Sequence, residues 1–252
     1  MNQNSKERFS SRVDSYTKYR PSYPQEAMDY LYDTVGFKAA DPIADIGAGT
    51  GIFSKLLLQR GSRVIAVEPN QAMREAAEQE HGGNPRFQIV PGSAEVTGLP
   101  DQSVDGIVCA QAFHWFDREA AKEEFRRIGR PGGKVALVWN SRLTHGTPFL
   151  EEYEQLLLTF GTDYQEVDQK NITQEALSAF FEGEMQEAKF FNRQTFDYDG
   201  LKGRLHSSSY APEPGHPNYE PMMDMLKHIF ERNAERGHVF FDYETLIYWG
   251  RV

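Results

Sequence analysis

The order of apolar runs and turn signals predicts an α/β fold. We expect a Rossmann-like, mostly parallel seven-stranded sheet with helices on both faces and an antiparallel edge from the C-terminal strands. Three observations predict it. Short apolar runs at 42–46, 63–67, 86–90, 104–110 and 134–139 alternate with segments of helical periodicity, the pattern of consecutive βαβ units. The first run ends in Gly47, Gly49 and Gly51 and is followed at once by a helical pattern. The last third changes character, with aromatic runs at 185–198 and 238–249, a composition that suits strands.

The elements follow in order. Pro24 to Thr34 places Ala27, Tyr30 and Leu31 at helical spacing, behind a proline suited to a helix start. Pro42 to Ile46 is the first strand, and Gly51 to Arg60 a helix whose Leu56, Leu57 and Leu58 face the sheet. Arg63 to Val67 is the second strand, with a helix from Asn70 through Glu80. Arg86 to Val90, Val104 to Ala110 and Lys134 to Trp139 continue the sheet, and helices fill Asp117 to Arg127 and Phe149 to Phe160. Helical patterns at 201–206 and 219–232 lie between the last two strands. No repeat or linker-like tract divides the chain, so residues 1–252 are expected to form one domain. Within it, 1–24 would be an N-terminal lid, 40–140 the cofactor-binding core, and 141–252 the substrate-side helices and last strands.

Bulk properties narrow the function. The 252 residues are 39% hydrophobic and 25% charged, ordinary for a globular protein. No stretch reaches the roughly 18 apolar residues of a membrane-spanning helix. The first residues carry no apolar run of the kind a secretory leader needs. Cys109 is the single cysteine, which excludes an internal disulfide and suits a reducing cytoplasm. The formal net charge of −10 argues against a phosphate backbone or an anionic membrane as partner. Seven histidines fall without metal-ligand spacing, so no metal is expected. There is no G-x-S-x-G elbow and no P-loop lysine.

The glycine loop carries the most chemistry. Glycine is needed where a backbone turns sharply or a ligand must approach it without a Cβ in the way. Glu68 ends the second strand, where a carboxylate can accept hydrogen bonds from both hydroxyls of an adenosine ribose. The dinucleotide spacing G-x-G-x-x-G requires a third glycine where Ile52 stands. Asp45, two residues before the first glycine, would welcome the ammonium and sulfonium of an amino-acid tail and repel a pyrophosphate. Together these favour S-adenosyl-L-methionine over NAD.

The run Asp45-Ile46-Gly47-Ala48-Gly49-Thr50-Gly51, followed by Val64-Ile65-Ala66-Val67-Glu68-Pro69-Asn70, resembles the first two motifs of class I S-adenosylmethionine-dependent methyltransferases. The resemblance continues through Gly92-Ser93-Ala94-Glu95 and the region Asp105 to Gln111, covering roughly 40–140 by motif. It implies that the loop, including Ala48, holds the methionine moiety and that Glu68 and Pro69 flank the ribose. It also implies that Ser93 and Ala94 border the adenine and that Met73 packs on its ring. The tract Gln111-Ala112-Phe113-His114-Trp115-Phe116 resembles a segment of the methyltransferase type 11 and trans-aconitate-type subgroup. Gln111 is then expected near the cofactor, with His114 and Trp115 toward the substrate.

His114 is the candidate general base, since imidazole titrates near neutrality; the alternative is that it only packs at a strand end. The N-terminal run holding Tyr16, Tyr19 and Arg20 is similar to the same subgroup. It is expected to close over the site and exclude water, with tyrosine faces toward the sulfonium and Arg20 toward a carboxylate. The segment Leu205-His206-Ser207-Ser208-Ser209-Tyr210 resembles one on the substrate side, though its polarity is also ordinary for a loop. The expected reaction is in-line methyl transfer to a small molecule, by analogy a carboxylate. The alternatives are a non-catalytic nucleotide-binding protein and an NAD-dependent oxidoreductase.

Overall fold

The computed structural model describes residues 18–164, 172–181 and 185–252. Helix α1 (Gln25–Tyr30) passes into one wide turn, Leu31–Val35, closed by Gly36 at φ 98°. Strand β1 (Pro42–Ile46), helix α2 (Ile52–Gln59), strand β2 (Arg63–Val67), helix α3 (Gln71–His81) and strand β3 (Phe87–Val90) follow. Next come strand β4 (Val104–Ala110), a single tight turn Phe113–Trp115, helix α4 (Arg118–Ile128) and strand β5 (Gly129–Arg142). The C-terminal part is α5 (Pro148–Phe160), α6 (Gln174–Phe180), β6 (Gln186–Phe196), α7 (Tyr198–His206), α8 (Tyr219–Asn233) and β7 (Val239–Gly250).

Helix starts follow local chemistry. Asn70 accepts the Met73 N–H, Asp117 the Ala120 N–H and Thr147 the Leu150 N–H, each satisfying a donor that the first turn leaves open.

The seven strands form one sheet in the order β3-β2-β1-β4-β5-β7-β6. The pairs β1–β2, β2–β3, β1–β4 and β4–β5 are parallel, whereas β7 pairs antiparallel with both β5 and β6. The antiparallel edge expected from sequence is present. Its order is a finding: the last strand inserts between β5 and β6, so β6 is the outer strand. Burial follows a period of two. On β5, Val135, Leu137 and Trp139 join one core cluster while Ala136 and Val138 join the opposite one. That is why the central strands read as continuous apolar runs. A third cluster joins α5, α7 and α8 to β7 through Tyr153, Leu201, Leu226 and Phe241.

Two elements depart from the sequence reading. Strand β5 extends through Arg142, because Asn140, Ser141 and Arg142 pair with Thr245, Glu244 and Tyr243. Helix α6 was not foreseen, its seven residues being too few to establish a period. Among the described residues no helix is long and apolar enough to cross a membrane.

Candidate active site

Chain order reverses at β1, which has β2 on one side and β4 on the other, and a crevice opens there at the carboxyl ends of the strands. A cavity of about 250 Å³ occupies it. Gly47, Gly49 and Gly51 all hold positive φ, at 71°, 58° and 82°, a region that side chains disfavour. Their reasons for lacking a Cβ differ. A Cβ on Gly47 would meet Ala112 Cβ at 2.6 Å, and one on Gly51 would meet the His81 ring at 2.7 Å. Around Gly49 nothing lies within 4 Å of that position, and Gly49 lines the cavity. Gly49 is therefore the glycine whose missing side chain leaves room for a ligand.

Glu68 stands at the cavity wall, 8% exposed. Its Oε2 accepts the Gly49 N–H at 3.0 Å and its Oε1 the Asn70 N–H at 2.8 Å. The carboxylate thus ties the glycine loop to the end of β2, with each oxygen keeping acceptor capacity toward the cavity. Burial pushes its pKa up, opposed by the two backbone donors. Pro69, Met73, Ser93 and Ala94 line the same end. Asp45 lies under the loop, fully buried, with Oδ2 receiving the Ser54 hydroxyl at 2.6 Å. Its Oδ1, like Thr50 Oγ1, has no hydrogen-bond partner among the described residues. Burial lifts the Asp45 pKa to about 7, with the Glu68 charge adding to the rise and Ser54 opposing it.

Gln111 leaves β4 with φ 56°, a left-handed conformation uncommon for a side-chain-bearing residue. Its N–H is held by the Val138 carbonyl at 2.8 Å and its side-chain amide by the Asn140 carbonyl at 3.0 Å. This turn aims the following tract into the cavity, where His114, Trp115 and Phe116 line the wall while Phe113 is fully buried. His114 Nδ1 is buried without a partner among the described residues. Burial, reinforced by the Arg20 charge, lowers its pKa to about 4, so the imidazole is neutral at pH 7.

The opposite wall is cationic. Arg20, Arg142 and Arg204 all line the cavity, with Tyr164, Tyr210 and Tyr243 between them. Arg142 pairs with Glu154 and donates to Tyr164 Oη at 3.0 Å. Burial pushes the Tyr210 pKa up, yet Arg204, Arg142 and Arg20 together hold it below its ordinary value. Residues 19–24 cross this side as a strap. Arg20 donates to the Ser207 carbonyl at 2.9 Å, Gln194 to the Tyr19 carbonyl at 3.1 Å, and Asn140 and Asn192 to the Ser22 carbonyl at 3.1 and 2.7 Å.

Of the residues singled out from sequence, Gly47, Ala48, Gly49, Glu68, Pro69, Met73, Ser93, Ala94, Gln111, His114, Trp115 and Arg20 meet at this one cavity. Asp45 and Gly51 sit behind its wall. Tyr19 is not in the lining: its ring packs against Gly203, where a Cβ would stand 2.1 Å from it. His206 is turned away and stacks on the Tyr219 ring at 5.8 Å. Tyr16 lies outside the described residues. Sequence reading missed Tyr23, Arg142, Arg204, Tyr210 and Tyr243. The signal for Arg142 was its place just past a predicted strand end; Tyr210 closes a segment already noted for its polarity.

Comparison with known proteins agrees with this geometry. Residues 44–137 match the methyltransferase domain family of type 11. That segment is similar in sequence to a methyltransferase domain. An uncharacterized methyltransferase of Mycobacterium tuberculosis is 42% identical over 134 residues, covering 53% of this chain and 52% of that protein. An uncharacterized methyltransferase-like protein of Schizosaccharomyces pombe is 33% identical over 156 residues, covering 62% and 59%. The chain spans about half the length of the curated relatives it matches. A protein of Anaeromyxobacter dehalogenans, assigned provisionally as a type II methyltransferase, shares the fold with a TM-score of 0.69. It is 24% identical, and the match covers 92% of this chain and 98% of that one.

The residues present fit the S-adenosyl-L-methionine that the glycine-loop motifs imply. Glu68 offers acceptors to a ribose, Met73, Pro69 and Ala94 offer apolar surface, and the open Cβ position of Gly49 leaves space beside the loop.

Proposed function

We propose that this protein transfers the methyl group of S-adenosyl-L-methionine to a small acid, directly and in line. The observation that carries the reading is one cavity with opposed ends. One end has the Glu68 carboxylate and the open Gly49 loop; the other has the guanidinium groups of Arg20, Arg142 and Arg204. A sulfonium and its ribose suit the first, and an anionic acceptor suits the second.

The cofactor supplies an activated methyl on a good leaving group, so the protein's task is alignment and exclusion of water. Glu68 fixes the ribose and, through the Gly49 N–H, the loop. Gln111 and Asn140 set the path of the wall between the two ends. His114 and Trp115 shape the middle of the cavity, and the strap at 19–24 covers the acceptor side. A carboxylate acceptor is already ionised at neutral pH, so no base is required, and the low pKa of His114 makes it a poor proton acceptor. His114 is therefore read as a positioning residue. The net charge of −10 supports a small molecule over nucleic acid as partner.

The experiment is transfer of labelled methyl from S-adenosyl-L-methionine to a panel of small carboxylic acids, with phenols and amines as comparison. The reading expects base-labile methyl esters from acids alone. Label appearing only in phenols or amines would reject the carboxylate acceptor.

A further inference from the structure

Among the described residues Arg204 has no carboxylate partner. It is 5% exposed, yet the groups it touches are neutral: Tyr243 Oη at 3.3 Å, Ser207 Oγ at 3.3 Å, Ser208 Oγ at 3.0 Å and the Phe241 face at 6.0 Å. Among the described residues no carboxylate pairs with it, whereas Arg142, its neighbour across the cavity wall, has Glu154. A guanidinium taken out of water without an anion is expensive, and hydroxyl dipoles compensate only part of that. The arrangement is what an anion receptor looks like when empty. The charge is fixed in advance by three oxygen acceptors, and the residue borders the cavity with Ser209 and Tyr210.

Its place in the sheet sets what it holds. Arg204 is bonded to Tyr243, which pairs with Arg142 at the carboxyl end of β5. From β1, which feeds the glycine loop, to β7 there are three strand steps, through β4 and β5. At the usual spacing this is roughly 14 Å, and roughly 10 Å from the tract that follows β4. A reacting atom must come within about 3–3.5 Å of the methyl carbon. One carboxylate cannot span both places.

We propose that Arg204 seats a second anionic group of the methyl acceptor, a carboxylate or phosphate remote from the atom that is methylated. The proposal rests on the methyltransferase reading above. It makes the acceptor a two-ended anion, and it makes Arg204 the residue that selects for the far end. Ser208 and Tyr243 hold the guanidinium plane. The strap brings Arg20 to the same wall, bonded to Ser207 one residue before Ser208.

The test is calorimetric titration of the full chain, saturated with S-adenosylhomocysteine, with glutarate, 4-phosphonobutyrate and butyrate. The wild type is expected to bind glutarate or 4-phosphonobutyrate at least tenfold more tightly than butyrate, and the better of the two identifies the far group. Arg204→Met keeps the stem and removes the charge, and it should bring the ratio to within twofold. Arg204→Lys keeps a charge but loses the fork, and it should give an intermediate ratio, so the test survives if the methionine variant does not fold. Equal binding of all three by the wild type, or an unchanged ratio in the variants, overturns the anchor. Failure of the wild type to bind S-adenosylhomocysteine at all would instead overturn the methyltransferase reading on which it rests.

Discussion

At the residue scale the loop separates two uses of glycine that one motif hides. Gly47 and Gly51 are small because Ala112 and His81 stand against them, and Gly49 is small because the space beside it is reserved. A Cβ on Gly49 meets no protein atom within 4 Å, so the main cost of Gly49→Val to folding is the strain of its positive φ, about 1–2 kcal/mol. It should nevertheless abolish measurable S-adenosylhomocysteine binding; calorimetry and urea unfolding together separate the two. Glu68→Ala should weaken S-adenosylhomocysteine binding by about 1.5–3 kcal/mol, roughly ten- to a hundredfold, through loss of charge-assisted ribose bonds. The motif spacing made Glu68 and the three glycines legible. It could not reveal that Asp45 lies behind the loop, because residues on a buried parallel strand alternate faces while their sequence stays uniformly apolar. That His206 and Tyr19 stand outside the cavity lining was hidden for a similar reason. Aromatic side chains near a site choose between cavity and core by packing partners far away in the chain, here Tyr219 and Gly203.

At the scale of elements, the cationic wall is assembled from β5, β7, α7 and the strap, which lie far apart in sequence. Helices were legible from their 3.6-residue periodicity, and parallel strands from short apolar runs bounded by turn residues. The insertion of β7 beside β5 was not, since pairing between residues about 100 apart leaves no local trace. Arg142 and Tyr243 became neighbours only through it. The strap depends on Gly203: Gly203→Ala should displace the Tyr19 ring and loosen residues 19–24. Faster amide exchange at 19–24, with unchanged exchange in β1 and β2, is the expected result. The tract after β4 depends on Phe113, which is fully buried against Phe116, Trp139 and Phe180. Phe113→Ala should cost about 3–5 kcal/mol in urea unfolding.

For the whole molecule, the net charge of −10 conceals a division of charge that composition cannot report. Glu68 lines the cavity beside the glycine loop, with Asp45 buried behind it, whereas Arg20, Arg142 and Arg204 line the wall formed by β5, α7 and the strap. The same distribution sets how stability responds to pH. Glu124 receives Thr97 and Arg127, and the Arg127 bond in particular holds its pKa down at about 2. Its stabilisation is complete above the unfolded carboxyl range and is lost as pH falls toward 2. Asp45 acts in the opposite sense. Its pKa stands at about 7 in the fold against about 3.9 unfolded, so the native state binds the proton more tightly. Stability from this group therefore falls as pH rises from about 4 to about 7, then stays level. Asp45→Asn should flatten that slope, gaining on the wild type between pH 5 and pH 8 by about 2.5 kcal/mol. Parallel urea titrations at the two pH values check it.

The most direct measurement is titration of the wild-type chain and Glu68→Ala with S-adenosylhomocysteine, with NAD⁺ run in parallel. The account predicts one-to-one binding of S-adenosylhomocysteine by the wild type, weakened at least tenfold by the substitution, and no heat from NAD⁺. Binding of NAD⁺ without S-adenosylhomocysteine, or equal affinity in both proteins, would contradict it.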